Sequence, residues 1–215
     1  MTIVDAEITI PVGGRRLAGN LALPEGATGI VVFAHGSGSG RFSPRNQFVA
    51  STLRDSGLAT LLLDLLEENE AANREKVFDI QLLASRLEAA STWLVAERET
   101  HDLSQGYFGA STGAGAALVA AANQPERIQA VVSRGGRPDL ALESLSRVKA
   151  PTLLIVGGED TPVIRMNVDA QTQLQCTNEL IVIPGATHLF EEPGTLEEVA
   201  RLATQWFGRY LVQNA

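Results

Sequence analysis

Six short, mostly apolar runs are spaced along the chain. They are Gly29–Ala34 (GIVVFA), Leu58–Leu63 (LATLLL), Gln105–Phe108, Ile128–Ser133, Thr152–Val156 and Leu180–Ile183. Runs of this length bounded by turn residues read as strands, and the continuous apolar ones as strands buried on both faces. Ahead of them, Ala6–Pro11 and Leu17–Leu23 are strand-like and flank Val12-Gly13-Gly14, which predicts a hairpin. Helical stretches fill the gaps. Pro44–Ser56 stops at Gly57, and Val77–Glu97 carries Phe78, Leu82, Leu83, Leu87 and Leu94 at helical spacing. Thr112–Asn123 is rich in Ala, and Leu140–Val148 and Val168–Gln175 are shorter. Thr195–Leu211 places Leu196, Val199, Leu202, Trp206 and Phe207 near one face. Strands alternating with helices predict an α/β domain with a mostly parallel sheet covered on both faces. Connections are short, with no repeat, linker or low-complexity tract, so one domain is expected over 1–215.

In such sheets ligands bind outside the carboxyl ends of the strands. The residues just after each strand therefore carry the functional question. GIVVFA is followed by His35-Gly36-Ser37-Gly38-Ser39-Gly40, and LATLLL by Asp64. Gln105–Phe108 leads to Gly109-Ala110-Ser111, and Ile128–Ser133 to Arg134-Gly135-Gly136-Arg137. The last two strands lead to Gly157-Gly158-Glu159-Asp160 and to Pro184-Gly185-Ala186-Thr187-His188.

A serine, an acid and a histidine thus stand at three strand ends, in the order Ser111, Asp160, His188. Gly109-Ala110-Ser111-Thr112-Gly113 fits Gly-x-Ser-x-Gly between a strand and a helix. There a sharp turn exposes the serine, and small neighbours let adjacent backbone pass. The helix N-terminus behind it favours developing negative charge. Of three histidines, His35 opens a glycine-rich turn, and His101 precedes the serine strand at its wrong end. His188 alone follows a strand late in the chain, where a neutral imidazole can take and return the serine proton. Asp160 can fix the imidazole tautomer; Glu159 and Asp64 are its rivals, and chain order favours Asp160. An oxyanion needs N–H donors, expected from the backbone of Thr112 and of Ser37. The glycines after His35 match neither phosphate pattern: no Gly-Lys-Ser/Thr follows, and G-x-G-x-x-G has another spacing.

Charge narrows the partners. With 17 basic and 25 acidic residues the net charge is −8, which repels a phosphate backbone, so no nucleic-acid partner is expected. The acidic run Glu67-Glu68-Asn69-Glu70 reads as an exposed loop or helix start. One cysteine, Cys176, excludes an intramolecular disulfide and fits a reducing compartment. No apolar run is long enough to span a membrane, and the first residues lack a signal-peptide pattern, so a cytoplasmic protein without membrane partner is expected. Three scattered histidines and one cysteine offer no metal-ligand spacing; no metal and no cofactor is expected.

FAHGSGSG, GASTG, LLIVGGEDTPV and VIPGATHLFEEPG, in that order, resemble the α/β-hydrolase superfamily, within it the small capless dienelactone-hydrolase-like group. The resemblance covers essentially the whole chain. It implies the α/β-hydrolase fold: an eight-stranded, mostly parallel sheet flanked by helices, the second strand antiparallel, with no cap domain. The family's nucleophile, base and acid fall on Ser111, His188 and Asp160. Dienelactone hydrolases proper use a cysteine nucleophile, and this chain has serine there, which favours a serine carboxylesterase.

The expected reaction is hydrolysis of a small carboxylic ester, thioester or lactone through an acyl-enzyme on Ser111. Acyltransferase and thioesterase share that intermediate; a non-catalytic ligand-binding module is the rival from another class. Arg41, Arg45, Arg134 and Arg137 lie on the functional side, together with Gly36. An arginine fork grips a carboxylate, so these residues are candidate contacts to an acidic substrate group. The alternative is that they pair with the protein's own carboxylates.

Overall fold

The structure, a computed structural model, describes residues 4–211. β1 (Val4–Val12) and β2 (Arg15–Leu23) form an antiparallel hairpin. β2 pairs antiparallel with β4 (Ala59–Leu63). β3 (Gly29–Ala34), β5 (Ser104–Ala110), β6 (Ile128–Arg134), β7 (Thr152–Gly157) and β8 (Asn178–Ile183) join in parallel. The order is β1-β2-β4-β3-β5-β6-β7-β8, and β2 alone among these strands runs against the rest. This is the expected α/β-hydrolase sheet. The chain leaves β3 towards β4 on one side and returns to β5 on the other. The carboxyl ends of β3 and β5 therefore border a topological switch point, where crevices open.

Alternation along β3 sets the two layers. Ile30, Val32 and Ala34 belong to the apolar cluster that includes α4 (Ile80–Ala96) and α5 (Thr112–Asn123). Val31 and Phe33 belong to the opposite cluster, with α1 (Pro44–Asp55) and α8 (Thr195–Tyr210). Each large aliphatic or aromatic side chain so buried contributes about 1.5–3 kcal/mol. α5 has no polar face: every residue from Thr112 to Ala122 is buried. Its alanines combine the best helix propensity with side chains small enough to let the backbone lie close to the sheet.

Four sequence expectations are corrected. The helix expected over Val77–Glu97 is α4, and it starts later, at Ile80: Val77 closes the one-turn α3 (Arg74–Val77), and Asp79 caps α4 by accepting the Leu82 N–H at 2.9 Å. The helix expected over Val168–Gln175 is α7, Thr161–Gln173; it starts at Asp160, with Pro162 tolerated in its first turn. Leu140–Val148 is a 3₁₀ turn, Pro138–Ala141, followed by the single-turn α6, Leu142–Leu145. The acidic run is a helix start, as expected, but it is not wholly exposed. Glu67 caps the one-turn α2 (Glu68–Ala71), and Glu70 is buried among Arg15, Lys76 and Arg86.

Residues 135–151, between β6 and β7, hold only the 3₁₀ turn and α6, so no cap covers the strand ends. No helix of the described residues is long and apolar enough to cross a membrane.

Candidate active site

Ser111 sits between β5 and α5 at φ 51°, ψ −121°, a left-handed conformation that a non-glycine residue seldom adopts. The backbone around it holds the strain. The Ser111 N–H donates to Arg134 O at 3.2 Å, and Ser111 O accepts the N–H groups of Ala114 and Arg137, each at 3.1 Å. The flanking glycines are required by contact. A Cβ on Gly113 would run into the Ala34 and His35 carbonyls, and one on Gly109 into the Ala114 backbone. The turn needs small residues two before and two after the serine because α5 and the end of β3 lie against it there.

His188 follows β8 and brings Nε2 to 3.3 Å from Ser111 Oγ. Its Nδ1 lies 2.6 Å from Asp160 Oδ2. Asp160 is the N-cap residue of α7 but makes no side-chain cap bond, so its carboxylate is available to the imidazole. The rivals are disposed of by position. Glu159 is exposed, and Asp64 is held by Arg41, with Oδ1 accepting the Arg41 N–H at 2.7 Å. His35 is tied at both nitrogens, Nδ1 at 3.0 Å from Gly36 O and Nε2 accepting the Leu65 N–H at 3.1 Å. Burial lowers its pKa, which keeps it neutral. His101 lies in the turn before β5, against Arg98 O and Asp102.

The first N–H of α5, that of Thr112, is a helix-end donor with no acceptor inside the helix. It lies next to Ser111. Ser37 reaches the same place, but its N–H is engaged: it donates to Thr112 Oγ1 at 3.0 Å. Thr112 is buried, and this bond ties the Ser37 turn to the residue that follows the serine.

A cleft of about 200 Å³ opens over Ser111 and His188. Gly36, Arg45 and Arg134 line it, as expected; a Cβ on Gly36 would stand 3.1 Å from Ser111 Cβ. Arg41 and Arg137 are corrections. Arg41 turns away to Glu7 and Asp64, at 2.8 and 3.1 Å, and Arg137 closes a fork on Asp139 at 2.8 and 2.7 Å. Both pair with the protein's own carboxylates. The sequence reading missed Asn46 and Leu189 in the cleft wall. Asn46 is buried with Oδ1 unpartnered, and only its place in the first turn of α1 hinted at this. A second, more apolar cleft of about 270 Å³ lies beyond the Ser37 turn, walled by Leu66, Val77 and Leu83. Cys176 is remote, its thiol raised by burial and 3.8 Å from Thr152 Oγ1. Among the described residues no cluster of three or more His, Cys, Asp or Glu side chains is placed to hold a metal ion.

Sheet order, elbow and the absence of a cap between β6 and β7 define an α/β-hydrolase fold of the lidless kind. A lidless α/β serine hydrolase from Xanthomonas campestris superposes with a TM-score of 0.79 over 96% of this chain and 95% of its own, at 22% identity. The chain belongs to the dienelactone hydrolase family, whose family model matches residues 17–211. A dienelactone hydrolase from Anabaena variabilis is 60% identical, with a TM-score of 0.95 over 97% of this chain and 99% of that one. A Mycobacterium tuberculosis protein, named provisionally as a phosphoribosyl transferase, is 59% identical over 203 residues. That match takes in 94% of this chain but 46% of the relative, so the chain spans about half its length.

Proposed function

We propose that this member of a hydrolase family is a serine esterase, cleaving small carboxylic esters, thioesters or lactones through an acyl-enzyme on Ser111. The observation that carries the reading is the continuous chain from Ser111 Oγ through His188 to Asp160, at 3.3 and 2.6 Å, with the serine held on a strained turn. Ser111 Oγ attacks the carbonyl carbon as His188 Nε2 takes its proton. Asp160 accepts the Nδ1 hydrogen and steadies the imidazolium. The carbonyl oxygen, now negative, lies beside the Thr112 N–H and takes over the Ser37 N–H from Thr112 Oγ1. His188 returns the proton to the departing alkoxide or thiolate. Water, deprotonated by the same nitrogen, then attacks the acyl carbon, and Ser111 Oγ leaves with that proton as the acid is released.

Openness favours water over another acceptor. The His188 side chain is 38% exposed, so the acyl-enzyme stands in contact with solvent. Sites that transfer to an acceptor other than water gain by excluding it. The phosphoribosyl transferase name belongs to a protein about twice as long. This chain spans about half of that protein, and its own Ser111, His188 and Asp160 suit acyl rather than ribosyl transfer.

Stopped-flow release of p-nitrophenol from p-nitrophenyl acetate tests the reading. One equivalent released in a burst, then slower turnover, is expected, with both lost in Ser111→Ala. Added methanol should divert only a minor share of acyl groups from acetate to methyl acetate. Hydrolysis undiminished in Ser111→Ala would refute the assignment.

A further inference from the structure

Acyl transfer at Ser111 calls on the backbone N–H of Thr112 and gives its side chain no task beyond releasing Ser37. That side chain is polar at the head of a helix with no polar face. α5 is buried from Thr112 to Ala122, and Thr112 itself is 3% exposed. Its Oγ1 accepts the Ser37 N–H at 3.0 Å. A hydroxyl can also donate, and a buried donor left without an acceptor is costly. Among the described residues this is the one hydrogen bond Thr112 Oγ1 makes, and in it the hydroxyl only accepts. Its own hydrogen is unspent.

The place of that spare donor indicates its acceptor. Gly36 and Ser37 line both clefts, the polar one with Ser111 and His188 and the more apolar one beyond. Thr112 lines the second. Its hydroxyl therefore stands where the two clefts meet, bonded to the same N–H that an oxyanion on Ser111 engages. A negative oxygen is a stronger acceptor than a neutral hydroxyl, so it draws the Ser37 N–H to itself. A hydroxyl that could only accept would then be left buried, unpartnered and with its lone pairs against a negative charge. Turned to donate, it bonds the oxygen that displaced it.

We infer that the Thr112 hydroxyl is a side-chain donor to the oxyanion, in addition to the two backbone N–H groups. In the free enzyme it accepts the Ser37 N–H and keeps that donor in place. In the tetrahedral intermediate it releases Ser37 and donates to the negative oxygen. No proton is transferred: the hydroxyl keeps its hydrogen and changes partner. Thr112 is thus a catalytic residue through its side chain. The inference rests on the esterase reading, because it presumes an oxyanion on Ser111.

The test compares kcat and KM for p-nitrophenyl acetate, and inhibition by trifluoroacetophenone, on the wild type, Thr112→Val, Thr112→Ser and Thr112→Ala. The ketone forms a tetrahedral adduct on the serine that carries the same negative oxygen. Valine keeps the shape and removes the hydroxyl. Loss of one oxyanion donor in a serine protease lowers kcat by about 10²–10³, and Thr112→Val should lower it tenfold or more with little change in KM. Its inhibition constant for the ketone should rise by the same factor as kcat/KM falls. Thr112→Ser should recover most of both. Should Thr112→Val fail to fold, Thr112→Ala, with a good helix former at that position, decides by the same criteria.

Three results overturn the inference. Thr112→Val as fast as the wild type, or faster, means that the hydroxyl only competes for the Ser37 N–H. A raised KM with kcat kept means that it binds a group of the substrate before reaction. A loss that Thr112→Ser does not recover assigns the effect to packing of the methyl group. In each case the wild type still cleaves the ester and the esterase reading stands. A folded wild type with neither turnover nor ketone adduct refutes that reading and the inference with it.

Discussion

Asp160 stands at the N-cap of α7, yet its carboxylate serves His188, with Oδ2 2.6 Å from Nδ1 and no side-chain bond to the helix. A residue type that ordinarily caps a helix is here turned across to another strand end. Asp160→Asn would keep the shape and lose the acceptor that fixes the imidazole tautomer. In the serine-protease example that sets the scale, such a change lowers kcat by about 10⁴, and a loss of about 10³ or more is expected here. The melting temperature should change little, because no cap bond is lost. Glu159→Gln, at an exposed position, should leave kcat unchanged. Steady-state kinetics with thermal melts checks all three.

The elbow stores strain, and the glycines around it are fixed by contact. Ser111→Gly relieves a positive φ of 51° and should be more stable than Ser111→Ala by about 1 kcal/mol, with both inactive. Gly113→Ala drives a methyl into the carbonyls of Ala34 and His35 and should destabilise by about 1–3 kcal/mol or more. Urea unfolding measures both. Equal stability of Ser111→Gly and Ser111→Ala would show that the turn is not strained.

Glu70 anchors a charge cluster outside the wall of the Ser111 cleft. It is 3% exposed, 3.0 Å from Lys76 Nζ and 3.4 Å from Arg86 Nη2. Burial alone would raise its pKa; the Lys76 ammonium, the Glu67 N–H, Arg86 and Arg15 outweigh that, and the net shift is downward. A carboxylate with a depressed pKa in the folded state lends stability that is present above its unfolded value. That stability is lost as pH falls through the folded value. Glu70→Gln leaves Arg86 buried and unpaired, so a loss of about 3 kcal/mol at neutral pH is expected. The variant's stability should also fall less steeply than the wild type's in acid below the ordinary glutamate value of 4.5. Urea midpoints across that range provide the check.

His35 is neutral and tied at both nitrogens beside the Ser37 turn. Its pKa is lowered by burial from 6.5, so its unfolded form takes up protons first as pH falls. The stability it lends is complete above that value and is lost as pH falls towards the folded value. His35→Gln should lower stability at neutral pH and flatten its decline just below pH 6.5. An unchanged slope would show that His35 does not contribute to it.

The parts legible in the sequence were those fixed by local chemistry. Small residues around Ser111, the apolar strands and the chain order of Ser111, Asp160 and His188 all leave marks within a few positions. What stayed hidden depends on partners distant in sequence. Nothing near Arg41 in the chain shows that Glu7 will hold it, and nothing near Glu70 shows that Arg15 and Arg86 will bury it. α7 starts earlier than its apolar pattern indicates, with Pro162 tolerated in its first turn. The break before α4 was missed because Asp79 caps that helix inside an otherwise periodic apolar pattern.

The central claim is that Ser111 is activated by His188. Reaction of the folded protein with a fluorophosphonate, followed by peptide mass spectrometry, tests it most directly. The account predicts one stoichiometric adduct, on Ser111, absent from Ser111→Ala and from His188→Ala. A folded protein that forms no adduct, or forms it at another residue, would contradict it.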